Sequence, residues 1–121
     1  AVMREACHLL ESGVTTAEQI DTAVREGVGL RWALAGPFEI ADRGGLDIWE
    51  KVTGHLFPEL ADDREAPAAI RQRVREGRLG TKTGQGFYAY AEHPSDRQSA
   101  ARAMERKLQR LLNVRDNGEP E

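Results

Sequence analysis

Apolar residues recur at three- and four-residue spacing along most of the chain, the period of helices with one buried face. Val2, Met3, Ala6, Leu9 and Leu10 form the first stripe, and Gly13 stands where a helix ends on a left-handed residue. Thr15 and Glu18 have the S/T-x-x-E relation of a capping box. A second helix is expected to follow, burying Ala17, Ile20, Ala23 and Val24 until Gly27 stops it. Residues 27–36 read as a glycine-punctuated connector. Pro37 suits the first turn of a short third helix, because its missing N–H costs nothing there, and Gly44-Gly45 break that helix. A fourth helix from about Asp47 is expected to bury Trp49, Val52, Leu56 and Phe57, with Pro58 in its end region. After an acidic loop at 59–65, Pro67 opens a fifth helix with Ile70 and Val74 inward and Arg71, Arg73 and Arg75 mostly outward. Ser95 and Gln98 repeat the capping-box pattern, and a last helix runs to about Asn113 with Ala100, Met104, Leu108 and Leu111 on one stripe. The polar tail from Arg115 contains Gly118 and Pro120 and is expected to be disordered. The pattern predicts an all-α chain, a compact bundle of five to six helices. Residues 1–93 form the main domain, 94–114 an additional helix and 115–121 a tail.

One stretch breaks the helical period. From Gly77 to Tyr90 four glycines fall within ten residues, and the run ends in an aromatic segment. Glycine takes positive φ without penalty, so this density predicts a tight path that other side chains would not allow. Phe87, Tyr88 and Tyr90 read as a short extended piece pinned by its rings. Gly80, Lys82, Gly84, Gly86, Phe87 and Tyr88 are therefore assigned to a structural clasp.

The 121 residues favour one domain with a modest core margin, and 40% hydrophobic with 31% charged residues is a soluble globular composition. No apolar run spans a bilayer and no signal-peptide pattern opens the chain, so no membrane partner is expected. The one cysteine, Cys7, excludes an internal disulfide and fits a reducing, cytoplasmic compartment. A net charge of −3 argues against nucleic-acid binding. The charge is polarised. Residues 1–63 carry five basic and twelve acidic side chains, whereas residues 64–115 carry twelve basic and five acidic. Two solvated helix faces of opposite sign, or a guide for an anionic ligand or partner surface, would each produce this split. Ala1 is not an initiator methionine and no N-cap precedes the first helical stripe, which suggests the later part of something longer.

Several motif fragments fail on context. Gly84-Gln85-Gly86-Phe87-Tyr88-Ala89 matches G-x-G-x-x-A, but a dinucleotide loop leaves a strand and opens a helix, and this one follows a helix and enters an aromatic segment. Lys82-Thr83-Gly84 matches K-T-G without any S-x-x-K. A P-loop lacks its Gly-Lys pair. His8, His55 and His93 are far apart and have no companion ligands, so they read as structural and no metal is expected. Cys7 reads as a small core residue. Glu39, Asp42 and Asp47 surround the Gly44-Gly45 break; they could cluster as carboxylates, with capping of the short helices as the favoured role. Lys82, the one cation between Gly80 and Tyr88, is either solvated or meets an anionic group.

Two blocks stand out together. One is Gly36-Pro37-Phe38-Glu39 with Asp42 and Gly45-Leu46-Asp47. The other is Gly77-Arg78-Leu79-Gly80 with Lys82-Thr83-Gly84 and Gly86-Phe87-Tyr88. With Glu5-Ala6, Leu9, Gly13, Glu18 and Ile20-Asp21, their order and spacing resemble the C-terminal domain of the L-3-hydroxyacyl-CoA dehydrogenases. Gly29-Leu30-Arg31-Trp32 is more similar to the 3-hydroxybutyryl-CoA dehydrogenase branch. The resemblance covers residues 2–90, and the helix after Ser95 extends beyond where many family members stop.

The resemblance implies an all-helical domain of the 3-hydroxyacyl-CoA and 6-phosphogluconate dehydrogenase type. Such a domain packs behind an N-terminal Rossmann domain of the same protein and carries most of a homodimer contact. It implies reversible hydride transfer between the 3-hydroxyl carbon of an acyl-CoA and NAD. The family's histidine base, its orienting glutamate and its serine lie in the Rossmann domain, and its asparagine precedes the segment matched by this chain. No catalytic residue is therefore assigned here, no cofactor is expected on this chain alone, and the isolated chain is expected to be inactive. Arg31, Trp32, Gly36, Pro37 and Phe38 are candidates for one wall of the acyl cleft at the domain junction. The rival reading is a non-catalytic helical interaction or dimerisation module that has lost the chemistry. A segment of a larger multifunctional β-oxidation protein is a third.

Overall fold

A computed structural model describes residues 1–118. Helices and turns account for its regular structure. The described residues contain no named strand, only the isolated antiparallel bridges Gly80–Gln85 and Gln85–Ala89. Helix α1 spans Val2–Glu11 and stops at Ser12, whose N–H donates to the His8 carbonyl, while the Gly13 N–H donates to the Leu10 carbonyl. Gly13 then takes φ 76°, as its position after the apolar stripe predicts.

Helix α2 begins at Ala17, capped by Thr16 rather than Thr15. The Thr16 hydroxyl accepts from the Gln19 N–H at 3.2 Å, and the Gln19 side chain accepts from the Thr16 N–H at 3.3 Å. The capping box is real but lies one residue beyond the Thr15–Glu18 pair, and Thr15 instead donates to the Gln19 side chain at 2.8 Å. Gly27 does not stop this helix. The α-helical segment Ala17–Ala23 passes into a π-helical turn, Val24–Val28, and resumes as α-helix over Gly29–Trp32. The wider turn is closed by the Gly29 N–H donating to the Val24 carbonyl. A Cβ at position 29 would lie 2.8 Å from that carbonyl oxygen, so the close approach of backbone requires glycine. The expected connector is thus mostly helix, and only residues 33–36 turn the chain.

Helix α3, Pro37–Gly44, carries proline in its first turn as expected. Helix α4, Leu46–Leu56, follows at once and closes in a 3-10 turn, Phe57–Glu59. Helix α5 covers Ala68–Arg75. The last helix, α6, runs Pro94–Asn117. Its cap is His93, whose ring accepts from the Ser95 N–H at 3.3 Å, so Ser95 and Gln98 do not form the expected box. Residues 115–117, expected in a disordered tail, are helical, and residues 119–121 lie outside the described residues.

The chain divides into two compact units between Gln72 and Arg73. In the first, the buried apolar residues are Cys7 (3% exposed) and Ala69 (7%). The Glu11 carboxylate accepts from the Ala69 N–H at 2.8 Å and ties α1 to the first turn of α5. Cys7 takes the core position expected of it. The helical stripes do not bury as their spacing predicts: Val2, Met3, Leu9, Val24, Trp49, Val52, Leu56 and Phe57 are all exposed. Val74 on α5 and Met104, Leu108 and Leu111 on α6 are exposed likewise. Periodicity marks a face able to be covered; it does not say that the same chain covers it. No helix among the described residues is long and apolar enough to cross a membrane.

Candidate functional site

The cleft-wall candidates fall at one corner of the first unit. The Arg31 carbonyl accepts from the N–H groups of Leu34 and Ala35, at 3.1 and 3.0 Å, and rounds off the end of α2. Gly36 turns outward with extended backbone (ψ 174°) as the N-cap of α3, and its carbonyl accepts from Ile40 at 3.1 Å. The turn therefore brings Arg31 and Trp32 to the end of one helix and Pro37 and Phe38 to the start of the next. Trp32 is 51% and Phe38 86% exposed, with exposed Leu34 between them in sequence. A large aromatic with no cover in its own chain is a surface prepared for contact. Glu39 and Asp42 lie on α3, and Asp47 lies in the first turn of α4. No side-chain cap bond forms at the start of either helix, so the favoured capping role for these carboxylates is not realised; Asp47 is instead placed to interact with the helix dipole.

The glycine clasp lies in the second unit and is closed by backbone bonds. Gly80 N–H donates to the Gln85 carbonyl at 2.9 Å, Gly86 N–H to Tyr88 at 2.8 Å and Tyr90 N–H to Gly84 at 2.9 Å. Between the first pair runs a 3-10 turn, Thr81–Thr83. Gly80 (φ 100°) and Gly84 (φ 82°) take the positive-φ conformations expected of this stretch. Gly86 does not. It is buried, with φ outside the left-handed region, and a Cβ there would lie 2.9 Å from the Gly80 Cα. Its requirement for glycine is the close approach of two backbones. The expected extended aromatic piece forms only the single bridge Gln85–Ala89.

Side chains not assigned to the clasp from the sequence complete it, among them Arg73, expected to face mostly outward but half-buried. The Thr83 hydroxyl accepts from the Leu79 N–H at 2.9 Å and lies 3.2 and 3.1 Å from the carbonyls of Gly80 and Gln85. Arg78 donates to the Gly86 carbonyl at 3.0 Å. The Arg73 guanidinium stacks 4.2 Å from the centroid of Phe87, a cation–π contact. Arg97 on α6 donates to the carbonyls of Thr81 and Glu92 and joins the clasp to that helix. Lys82 is exposed on the rim of a groove of about 590 Å³ lined by Tyr90, Pro94, Ala101 and Met104.

His8 and His55 are exposed and His93 is a helix cap. Among the described residues no three of His, Cys, Asp and Glu converge on a metal position. The Gly84-Gln85-Gly86 turn neither leaves a strand nor opens a helix, so it does not fit the pyrophosphate of a dinucleotide. The geometry is that of a helical domain offering an apolar corner and a rigid, glycine-locked turn.

Residues 1–90 match the family model described as 3-hydroxyacyl-CoA dehydrogenase, C-terminal domain. The 5-formyl-3-hydroxy-2-methylpyridine 4-carboxylate 5-dehydrogenase of Mesorhizobium japonicum is 33% identical over 119 residues, covering 96% of this chain and 38% of its own. The 3-hydroxybutyryl-CoA dehydrogenase of Mycobacterium tuberculosis is 34% identical over 86 residues, covering 70% of this chain and 29% of its own. A crystal structure of a 5-formyl-3-hydroxy-2-methylpyridine 4-carboxylic acid 5-dehydrogenase, described as an NAD+-dependent dismutase, superposes with a TM-score of 0.90. It shares 29% identity over 98% of this chain and 38% of its own. The chain belongs to the 3-hydroxyacyl-CoA dehydrogenase C-terminal domain family. It spans about a third of the length of these relatives.

Proposed function

We propose that this chain is the dimerisation and substrate-cleft domain of an NAD-dependent 3-hydroxyacyl-CoA dehydrogenase. The exposed corner of Trp32, Leu34 and Phe38 at the Gly36-Pro37 turn supports this reading. An acyl chain needs an apolar wall, and this corner is apolar, rigidly turned and uncovered. An N-terminal Rossmann domain of the same protein would hold NAD and the histidine base. Hydride would pass from the 3-hydroxyl carbon to NAD while the base takes the hydroxyl proton, giving a 3-oxoacyl-CoA in fatty-acid or butanoate metabolism. The single cysteine suits a reducing, cytoplasmic setting.

The test is NADH oxidation with acetoacetyl-CoA, run in parallel on this chain and on the product of its uninterrupted reading frame. Turnover is expected from the longer product alone. In that product Phe38→Ala should raise KM for acetoacetyl-CoA about tenfold, the cost of losing one buried aromatic contact. Silence from both proteins, with NADH shown to be unbound, would favour a non-catalytic interaction module instead.

A second reading concerns the substrate, and α6 carries it. Similarity to the pyridine carboxylate dehydrogenase includes α6, whereas similarity to the 3-hydroxybutyryl-CoA dehydrogenase spans 86 residues. On this reading the substrate is a small heteroaromatic carboxylate without CoA. Turnover of 5-formyl-3-hydroxy-2-methylpyridine 4-carboxylate with NAD, and none of acetoacetyl-CoA, would establish it.

A further inference from the structure

The helical path from Ala17 to Trp32 leaves α geometry just before it reaches Arg31 and Trp32. A π-helical turn holds one more residue than an α turn, and such turns recur at functional sites. Across Val24–Val28 the extra residue sets everything beyond it back by one position. A continuous α-helix of the same sequence would place Arg31 where Trp32 stands, and Leu30 where Arg31 stands. The corner that continues into Pro37 and Phe38 would then present a cation in place of an aromatic ring. Deep burial does not explain the turn, since Val24 and Val28 are 40% and 42% exposed. Gly29 holds it. Its N–H closes the ring onto the Val24 carbonyl, and that oxygen lies 2.8 Å from where a Cβ would be.

We propose that Gly29 is a positioning residue for substrate: through the π-helical turn it sets Trp32, rather than Arg31, on the apolar wall of the acyl cleft. This assignment rests on the substrate-cleft reading above and adds what orders that wall. An acyl chain gains from an aromatic surface and loses from a guanidinium, which would have to shed water to meet it. One residue in the turn therefore decides whether the wall accepts an apolar group.

The variants are made in the product of the uninterrupted reading frame, with acetoacetyl-CoA and NADH. Gly29→Ala denies the Val24 carbonyl its approach and returns the helix to α spacing. KM should rise about tenfold, with kcat within about twofold of wild type, the pattern of lost substrate binding. Deleting Gly27 makes Val24 and Gly29 an ordinary α pair and leaves Trp32 in place, so KM should stay within about twofold of wild type. Gly29→Ala combined with that deletion should restore the wild-type KM. Alanine at position 29 should lower the melting temperature at full length and raise it in the deletion background, where it is simply the better helix former. Arg31→Trp/Trp32→Arg exchanges two exposed side chains without touching the turn, and should raise KM as Gly29→Ala does. An unchanged KM in the exchange variant, or a raised KM in a double variant shown by far-UV circular dichroism to be folded, would overturn the proposal. So would alanine lowering the melting temperature equally in both backgrounds, because the Val24 carbonyl would then not be what Gly29 accommodates. A wild-type product without turnover would overturn the substrate-cleft reading, and this proposal with it.

Discussion

At Gly86 one added methyl group would lie within 2.9 Å of the Gly80 Cα, a backbone atom with no rotamer to give way. Gly86→Val should therefore cost about 2–3 kcal/mol, the penalty of overpacking a closed site, and lower the melting temperature by several degrees. Gly54 makes the opposite case. It lies within α4 with nothing within 4 Å of its added Cβ, so Gly54→Ala should stabilise by about 0.5–1 kcal/mol in the same thermal melt. The glycine density of the clasp was legible in the sequence, but its physics was only half so. Gly80 and Gly84 do need positive φ, whereas Gly86 needs space, and no spacing rule separates the two. The contacts of Thr83, Arg73 and Arg78 were not legible for a related reason. Their partners are carbonyls and a ring brought near by the path of the loop, which local sequence does not encode.

Among the elements, α1 and α5 are joined across 58 residues of sequence by the Glu11 carboxylate and the Ala69 N–H. Glu11→Ala should cost about 1 kcal/mol and raise hydrogen exchange at the first turn of α5, where an exposed substitution elsewhere on α1 would not. The existence and order of the helices followed from apolar spacing and from Pro37, Gly13 and the Gly44-Gly45 pair. Their ends did so less well. Thr15 and Thr16 are equally good caps on paper, and only backbone geometry chooses Thr16 with Gln19. The cleft-wall candidates were legible as a Gly-Pro turn with aromatic neighbours, though the helical state of Arg31 and Trp32 was hidden by the glycines before them.

Among the described residues as a whole, the stripes that spacing marked as core are largely surface. Both tryptophans, Trp32 and Trp49, belong to this uncovered set. Their emission should shift to shorter wavelength when the chain associates, and dilution should reverse the shift. Constant emission across the association range would mean that other surfaces are buried. On the proposed function, these apolar faces are completed by contact with other protein.

The π-helical turn in α2 has a consequence for that outer surface. A continuous α-helix advances about 100° per residue, and the wider turn admits one residue more than the α spacing allows. Everything beyond Val28 is therefore rotated about the helix axis relative to the face begun at Ala17. The azimuth of Trp32, and with it the direction in which the apolar corner looks, is fixed by a count of residues rather than by the chemistry of any of them. Gly29 acts as the detent that holds this setting, because only a residue without a Cβ lets the Val24 carbonyl close the wider ring.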